Sequence, residues 1–206
     1  MKAGNRKSLT ATVVLTVVCL VAWGVPVQAD DAVPFVNNNS CKKCHIQQFK
    51  SWEKTPMGTA LNILKPNERS DKKIQAGLDP AKDYTTDATC LRCHTVGLGL
   101  PGGYEVPDPA DPKAVRKANA LAHVGCESCH GPGGSYSDFH KEIMTASKNY
   151  THEDMYAAGM AKITAETCTK CHNDESPTHK FSEPFDYEKM KGVGLHEHFE
   201  LKLLKE

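Results

Sequence analysis

Net charge is the first thing this sequence lacks. Its 206 residues carry 25 basic and 25 acidic side chains, and the isoelectric point is 7.1. A chain without basic excess has no electrostatic footprint for a phosphate backbone, so nucleic-acid binding is excluded as a class. Apolar residues reach only 39% and aromatics 7%, against the ~45–50% apolar usage of ordinary globular domains. Amino acids alone make a thin core here. No sustained alternation of apolar and polar residues occurs, which excludes a large sheet, and no apolar run approaches the ~20 residues of a membrane-spanning helix. What the chain does have is nine cysteines and ten histidines.

The first 29 residues read as a leader. Lys2, Arg6 and Lys7 form a basic start, Ala11 to Trp23 a short apolar stretch, and Val27-Gln28-Ala29 a small-residue cleavage site. This is the pattern of a secretory signal peptide. The expected mature chain runs over 30–206, begins at Asp30 and works in the periplasm or outside the cell. Membrane contact would end with removal of the peptide. Cys19 leaves with it, and so do three basic residues, leaving 22 basic against 25 acidic and a charge of −3.

The eight remaining cysteines fall into four pairs of one spacing, with none left over. They are Cys41-Lys42-Lys43-Cys44-His45, Cys90-Leu91-Arg92-Cys93-His94, Cys126-Glu127-Ser128-Cys129-His130 and Cys168-Thr169-Lys170-Cys171-His172. C-x-x-C-H is the attachment pattern of c-type haem. Two thiols add to the two vinyl groups of one porphyrin, and one turn of backbone reaches both. The adjacent histidine is then carried under the ring as proximal iron ligand. Four covalently bound haems would supply the missing apolar mass.

Rival readings explain less. Four C-x-x-C pairs suffice for two tetrahedral zinc sites, but zinc does not require a histidine after every second cysteine. Thioredoxin-like pairs come with a βαβ pattern that is absent here. A disulfide across two intervening residues closes a very small loop and constrains little.

The motifs start at 41, 90, 126 and 168, with no fixed period, so a solenoid is excluded. One mostly α domain over 30–206 is expected, with four closely packed c-type haems and little strand. Phe49 and Trp52 lie three apart before Pro56. Met57, Ala60, Leu61 and Leu64 follow at helical spacing before Pro66. Asp111-Pro112 opens a helix to about Leu121, and Thr151 with Asp154 resembles a capping box. A longer helical pattern runs from about Tyr187 to Leu204. Pro101-Gly102-Gly103 and Gly131-Pro132-Gly133-Gly134 read as turns.

Several stretches resemble the tetrahaem cytochrome c-554 family. They include Ser51-Trp52 after the first motif, Leu78-Asp79-Pro80-Ala81-Lys82-Asp83-Tyr84-Thr85, Gly102-Gly103-Tyr104, Val124 through Gly133 around the third motif, and Leu195-His196-Glu197-His198. The resemblance implies a helical fold around packed haems and a role in shuttling electrons. The best-known members accept electrons from hydroxylamine oxidation in ammonia-oxidising bacteria, and relatives of similar size form extracellular haem filaments.

The sixth iron ligand decides what each haem can do, because a second protein ligand restricts it to electron transfer. Six histidines lie outside the motifs: His123, His140, His152, His179, His196 and His198. The resemblance assigns His140 to the first haem, with Ser135 and Asp138 capping a helix that would hold His140 in its first turn. It assigns His196, on a final helix, to the third haem. His198, two residues on, would point to another helix face and meet solvent or a propionate. At the place of the fourth haem's distal histidine this sequence has Met57, either a thioether ligand that raises the reduction potential or a core residue. The second haem is open in the best-known members. Here His123 is the leading candidate to cap it and His152 another.

Three function classes follow. An electron carrier between redox donors and acceptors leads; a haem enzyme converting a small nitrogen species at an open haem, and a filament subunit or other homo-oligomer, are the alternatives. The acidic mature chain suits a partner with a basic patch, while Lys42, Lys43 and Lys50 near the first haem form a local exception suited to an acidic one. The intact mass of the exported protein should show four bound haems on a chain beginning at Asp30. Bound zinc, or fewer than four haems in matured protein, would refute the motif reading.

Overall fold

The computed structural model describes Met1, residues 32–178 and residues 184–205; the expected leader and His179 lie outside the described residues. The helices are short, as a chain cut by frequent glycine and proline requires. They are α1 (Asn38–Lys42), α2 (Ile46–Trp52), a 3₁₀ helix (Met57–Leu64), α3 (Ser70–Gln75), α4 (Ala88–His94), α5 (Pro112–Ala120), α6 (Cys126–His130), α7 (Gly133–Ala146), α8 (His152–Ala157), α9 (Ala165–Thr169) and α10 (Tyr187–Met190). No strand occurs among the described residues, only isolated bridges between Thr95 and Ala122 and between Tyr150 and Leu204. The protein is mostly α.

Local signals place several of these helices. The Asp111 carboxylate accepts from the Lys113 N–H at 2.8 Å, and Pro112 follows as the first helical residue of α5. Thr151 and Asp154 form both bonds of a capping box at the start of α8. The Met57–Leu64 stripe is helical, in the tighter 3₁₀ form.

Two expectations are corrected. The helix expected from Tyr187 to Leu204 ends at Met190, because Gly192 follows and Gly194 takes φ +73°, a conformation that stops a right-handed helix. His196 and His198 therefore stand on irregular chain, and the two-face argument separating them does not apply. Ser135 does not cap a helix either. Pro132, Gly133 and Gly134 start α7 earlier than the turn reading allowed, so His140 sits mid-helix rather than in a first turn.

Apolar side chains gather in two small clusters. One joins Leu64, Tyr84, Leu91, Val96, Tyr104, Ala118 and Leu121, linking the 3₁₀ helix, α4 and α5. The other joins Ile143, Tyr150 and Met155, linking α7 and α8, with Leu203 and Leu204 packed against it. Leu61 packs on the first cluster. Met57 is half-buried and belongs to neither.

Candidate functional site: four haem-attachment motifs

Each motif is one turn of helix. In the first, the N–H groups of Cys44 and His45 both donate to the Cys41 carbonyl, at 3.2 and 3.0 Å. In the fourth, those of Cys171 and His172 donate to the Cys168 carbonyl, at 3.1 and 3.0 Å. α4 and α6 carry the second and third motifs whole. This turn sets two thiols three residues apart on one side and brings the histidine next to them, as addition to one porphyrin requires. None of the eight motif cysteines is in a disulfide. Among the described residues no three His, Cys, Asp or Glu side chains converge on a metal-ion site.

The motifs meet one another. α1 packs on α6, and α6 on α9. Asn38, 3% exposed, accepts from the Cys126 N–H through Oδ1 at 3.0 Å and donates from Nδ2 to the Ala122 carbonyl at 3.5 Å. Gly125 allows that approach, since a Cβ there would lie 2.2 Å from Asn38 Oδ1. Before haem is attached, the neighbouring Cys126 thiol lowers the pKa of Cys41, and Cys41 with burial raises that of Cys126. Cys171 is pushed up to about 12, first by burial and then by the neighbouring Cys93 thiol. Arg92, inside the second motif, is ion-paired with Glu175, just after the fourth. The first motif thus adjoins the third, and the second adjoins the fourth.

The histidines outside the motifs are placed as follows. The His45 and His140 rings are stacked, with centroids 5.6 Å apart and planes 12° from parallel. His130 and His196 form a second stacked pair at 6.4 Å and 25°. His198 lies 5.6 Å from His196, tilted by 56°. His152 is exposed and stacked on Tyr156. His172 stacks on Phe185 at 4.7 Å, a neighbour the sequence did not suggest. Burial lowers the pKa of His45, His94 and His140, and takes His130 down to about 4, with His196 adding to the effect. These rings are neutral at pH 7, which leaves a nitrogen lone pair free for a metal.

One peptide unit holds two further rings. His94 Nδ1 lies 2.7 Å from the Ala60 carbonyl oxygen, to which only a protonated nitrogen can donate. Its Nε2 is therefore the lone-pair nitrogen, and the bond orients a ligand in the usual manner of second-sphere partners. The N–H of the same peptide, on Leu61, donates to His123 Nδ1 at 3.0 Å. His123 itself takes φ 70°.

Glu127 is the functional residue sequence reasoning passed over, although it lies inside the third motif. It is 2% exposed. Its Oε1 accepts from the N–H groups of Val36 (2.9 Å) and Gly133 (2.7 Å), and its Oε2 from that of Asn37 (2.8 Å). One carboxylate so ties the entry to α1 and the start of α7 to α6. A charged residue between two cysteines of an otherwise neutral stretch was the available signal.

Four haem-binding turns on a helical chain with little core define a multihaem c-type cytochrome. Comparison with known proteins gives the family. Residues 40–131 match the family model for cytochrome c554 and c-prime. Cytochrome c-554 of Nitrosomonas europaea is 38% identical over 143 residues, 68% of this chain, and the match spans 57% of that relative's length. The solved reduced state of cytochrome c554 from Nitrosomonas europaea is 34% identical, with a TM-score of 0.67 over 85% of this chain and 91% of that one. The chain belongs to the cytochrome c-554 family. It is a c-type cytochrome with four covalently bound haems.

Truncating Glu127 should show what its bonds hold. Glu127→Ala leaves one buried and two half-buried N–H groups without an acceptor and should cost about 2–5 kcal/mol. Glu127→Gln keeps an oxygen for Val36 and Gly133 but sets its amide against the Asn37 N–H, and should cost roughly half as much. Thermal unfolding of the haem-loaded variants measures both; losses within about 0.5 kcal/mol of wild type would assign Glu127 no structural role.

Proposed function

We propose that this chain is an exported electron carrier, working in the periplasm or outside the cell between a redox donor and a redox acceptor. Each bound haem supplies one iron that cycles between the ferric and ferrous states. The chain's own residues decide how that iron is held. His45, His94, His130 and His172 are the proximal ligands, His140 pairs with His45, and His196 with His130. The observation that carries this reading is the two near-parallel imidazole pairs, each joining a motif histidine to one from a distant part of the chain.

For the haem on His94 we favour an open sixth position over a cap by the candidate His123. His123 accepts at Nδ1, so in its neutral form the proton is on Nε2 and no lone pair faces a metal from that nitrogen. The open position also supports the second reading, a haem enzyme acting on a small nitrogen species. For the haem on His172 the distal ligand is Met57. Leu61 and Leu64 of the same 3₁₀ helix join the first apolar cluster and Met57 does not, which weighs against the plain core role.

Sulfur donates less to ferric iron than imidazole does, so the Met57 haem should have the highest potential of the four. Met57→His should lower that potential and keep a six-coordinate low-spin iron. Met57→Ala should leave an open or water-bound one. Potentiometric titration with ferric spectra, read for the thioether charge-transfer band, checks both variants. Unchanged potentials and spectra in both would return Met57 to the core.

A further inference from the structure

The groove between α1 and α5 gathers positive charge at the first haem-attachment motif. Lys43 comes from the first motif itself. Lys113, Arg116 and Lys117 come from α5, and the two sides line one depression with Asn39 and Ser40. The three α5 cations stand at positions i, i+3 and i+4, so they share one helix face. Lys43, Lys113, Arg116 and Lys117 are all exposed. Of these four, only Lys117 has an ion-pair partner among the described residues, Glu105 at 3.2 Å. Asp111, which precedes α5, is engaged as its cap.

Like charges gathered in a groove repel one another, and a chain with three more acidic than basic residues after loss of its leader has anions enough to disperse them. It leaves them together instead. Lys43 is also the residue next to Cys44, so this face lies beside the first haem-attachment point. We propose that the α1–α5 groove is the docking face for an acidic redox protein that exchanges electrons at the haem on His45. The proposal rests on the carrier reading and adds to it where the partner binds and what charge it presents. Field lines focused in a groove raise the on-rate of an oppositely charged partner, and salt weakens them within a Debye length of about 8–10 Å.

The test uses the four-haem protein and reduced flavodoxin as an acidic protein probe, mixed in a stopped-flow instrument across a range of ionic strength. The wild-type second-order rate should fall as salt rises. Lys43→Glu/Arg116→Glu should slow the low-salt reaction about tenfold or more and flatten the salt dependence. Lys72→Glu/Lys202→Glu, which makes the same change in net charge elsewhere on the exposed surface, should slow it much less. Equal slowing in both double variants would reduce the effect to net charge and overturn the proposal. A groove variant that shifts the potential of the His45 haem without slowing flavodoxin would assign these cations to the haem propionates, and would overturn it too. A wild-type protein that dithionite reduces but flavodoxin does not would count against the carrier reading itself.

Discussion

The buried carboxylate of Glu127 fixes the frame in which two of the four attachment sites stand. Projecting from the third motif, it accepts three main-chain N–H bonds, two from the strap that leads into the first motif and one from the first turn of α7. α7 carries His140. The distance and angle between His45 and His140 thus depend on a charge placed between Cys126 and Cys129. A carboxylate this deep is tolerable because polar donors replace water around it. Asn38 repeats the arrangement a few ångströms of chain away, bridging α1 to Cys126 and Ala122. Polar anchors hold the motifs in place where a thin apolar core cannot.

The same economy governs the imidazoles. Burial keeps the ring of His130 and its counterparts uncharged, and backbone groups select which nitrogen bears the proton. The Ala60–Leu61 peptide does this twice with opposite effect. Its carbonyl faces His94 Nδ1 and frees Nε2; its N–H faces His123 Nδ1 and ties that lone pair up. The two ends of a single peptide so leave the lone pair on Nε2 in His94 and occupy the one on Nδ1 in His123.

Much of the local structure was legible from sequence because its causes are local. Asp111-Pro112 and Thr151 with Asp154 cap helices through bonds spanning two or three residues. The four C-x-x-C-H turns are likewise complete within five residues. The end of the chain was misread because apolar spacing after Tyr187 outweighed Gly192 and Gly194, which in fact stop the helix. The start of α7 was misread because Gly133 and Gly134 resemble a turn, yet the Glu127 carboxylate receives the Gly133 N–H and steadies the helix there. The pairings His45–His140 and His130–His196 span 95 and 66 residues respectively by number. No local rule reaches that far; only the family resemblance suggested them. Glu127 and the Ala60–Leu61 peptide were invisible for the same reason, since their partners come from other parts of the chain.

The ligand assignment stands or falls on the spin states of the four ferric haems in the wild-type protein. Low-temperature electron paramagnetic resonance with near-infrared magnetic circular dichroism counts them directly. Two low-spin haems with paired imidazoles, one low-spin haem with the thioether signature and one high-spin haem are expected. Four low-spin haems with no thioether band would contradict both the open position beside His94 and the role of Met57.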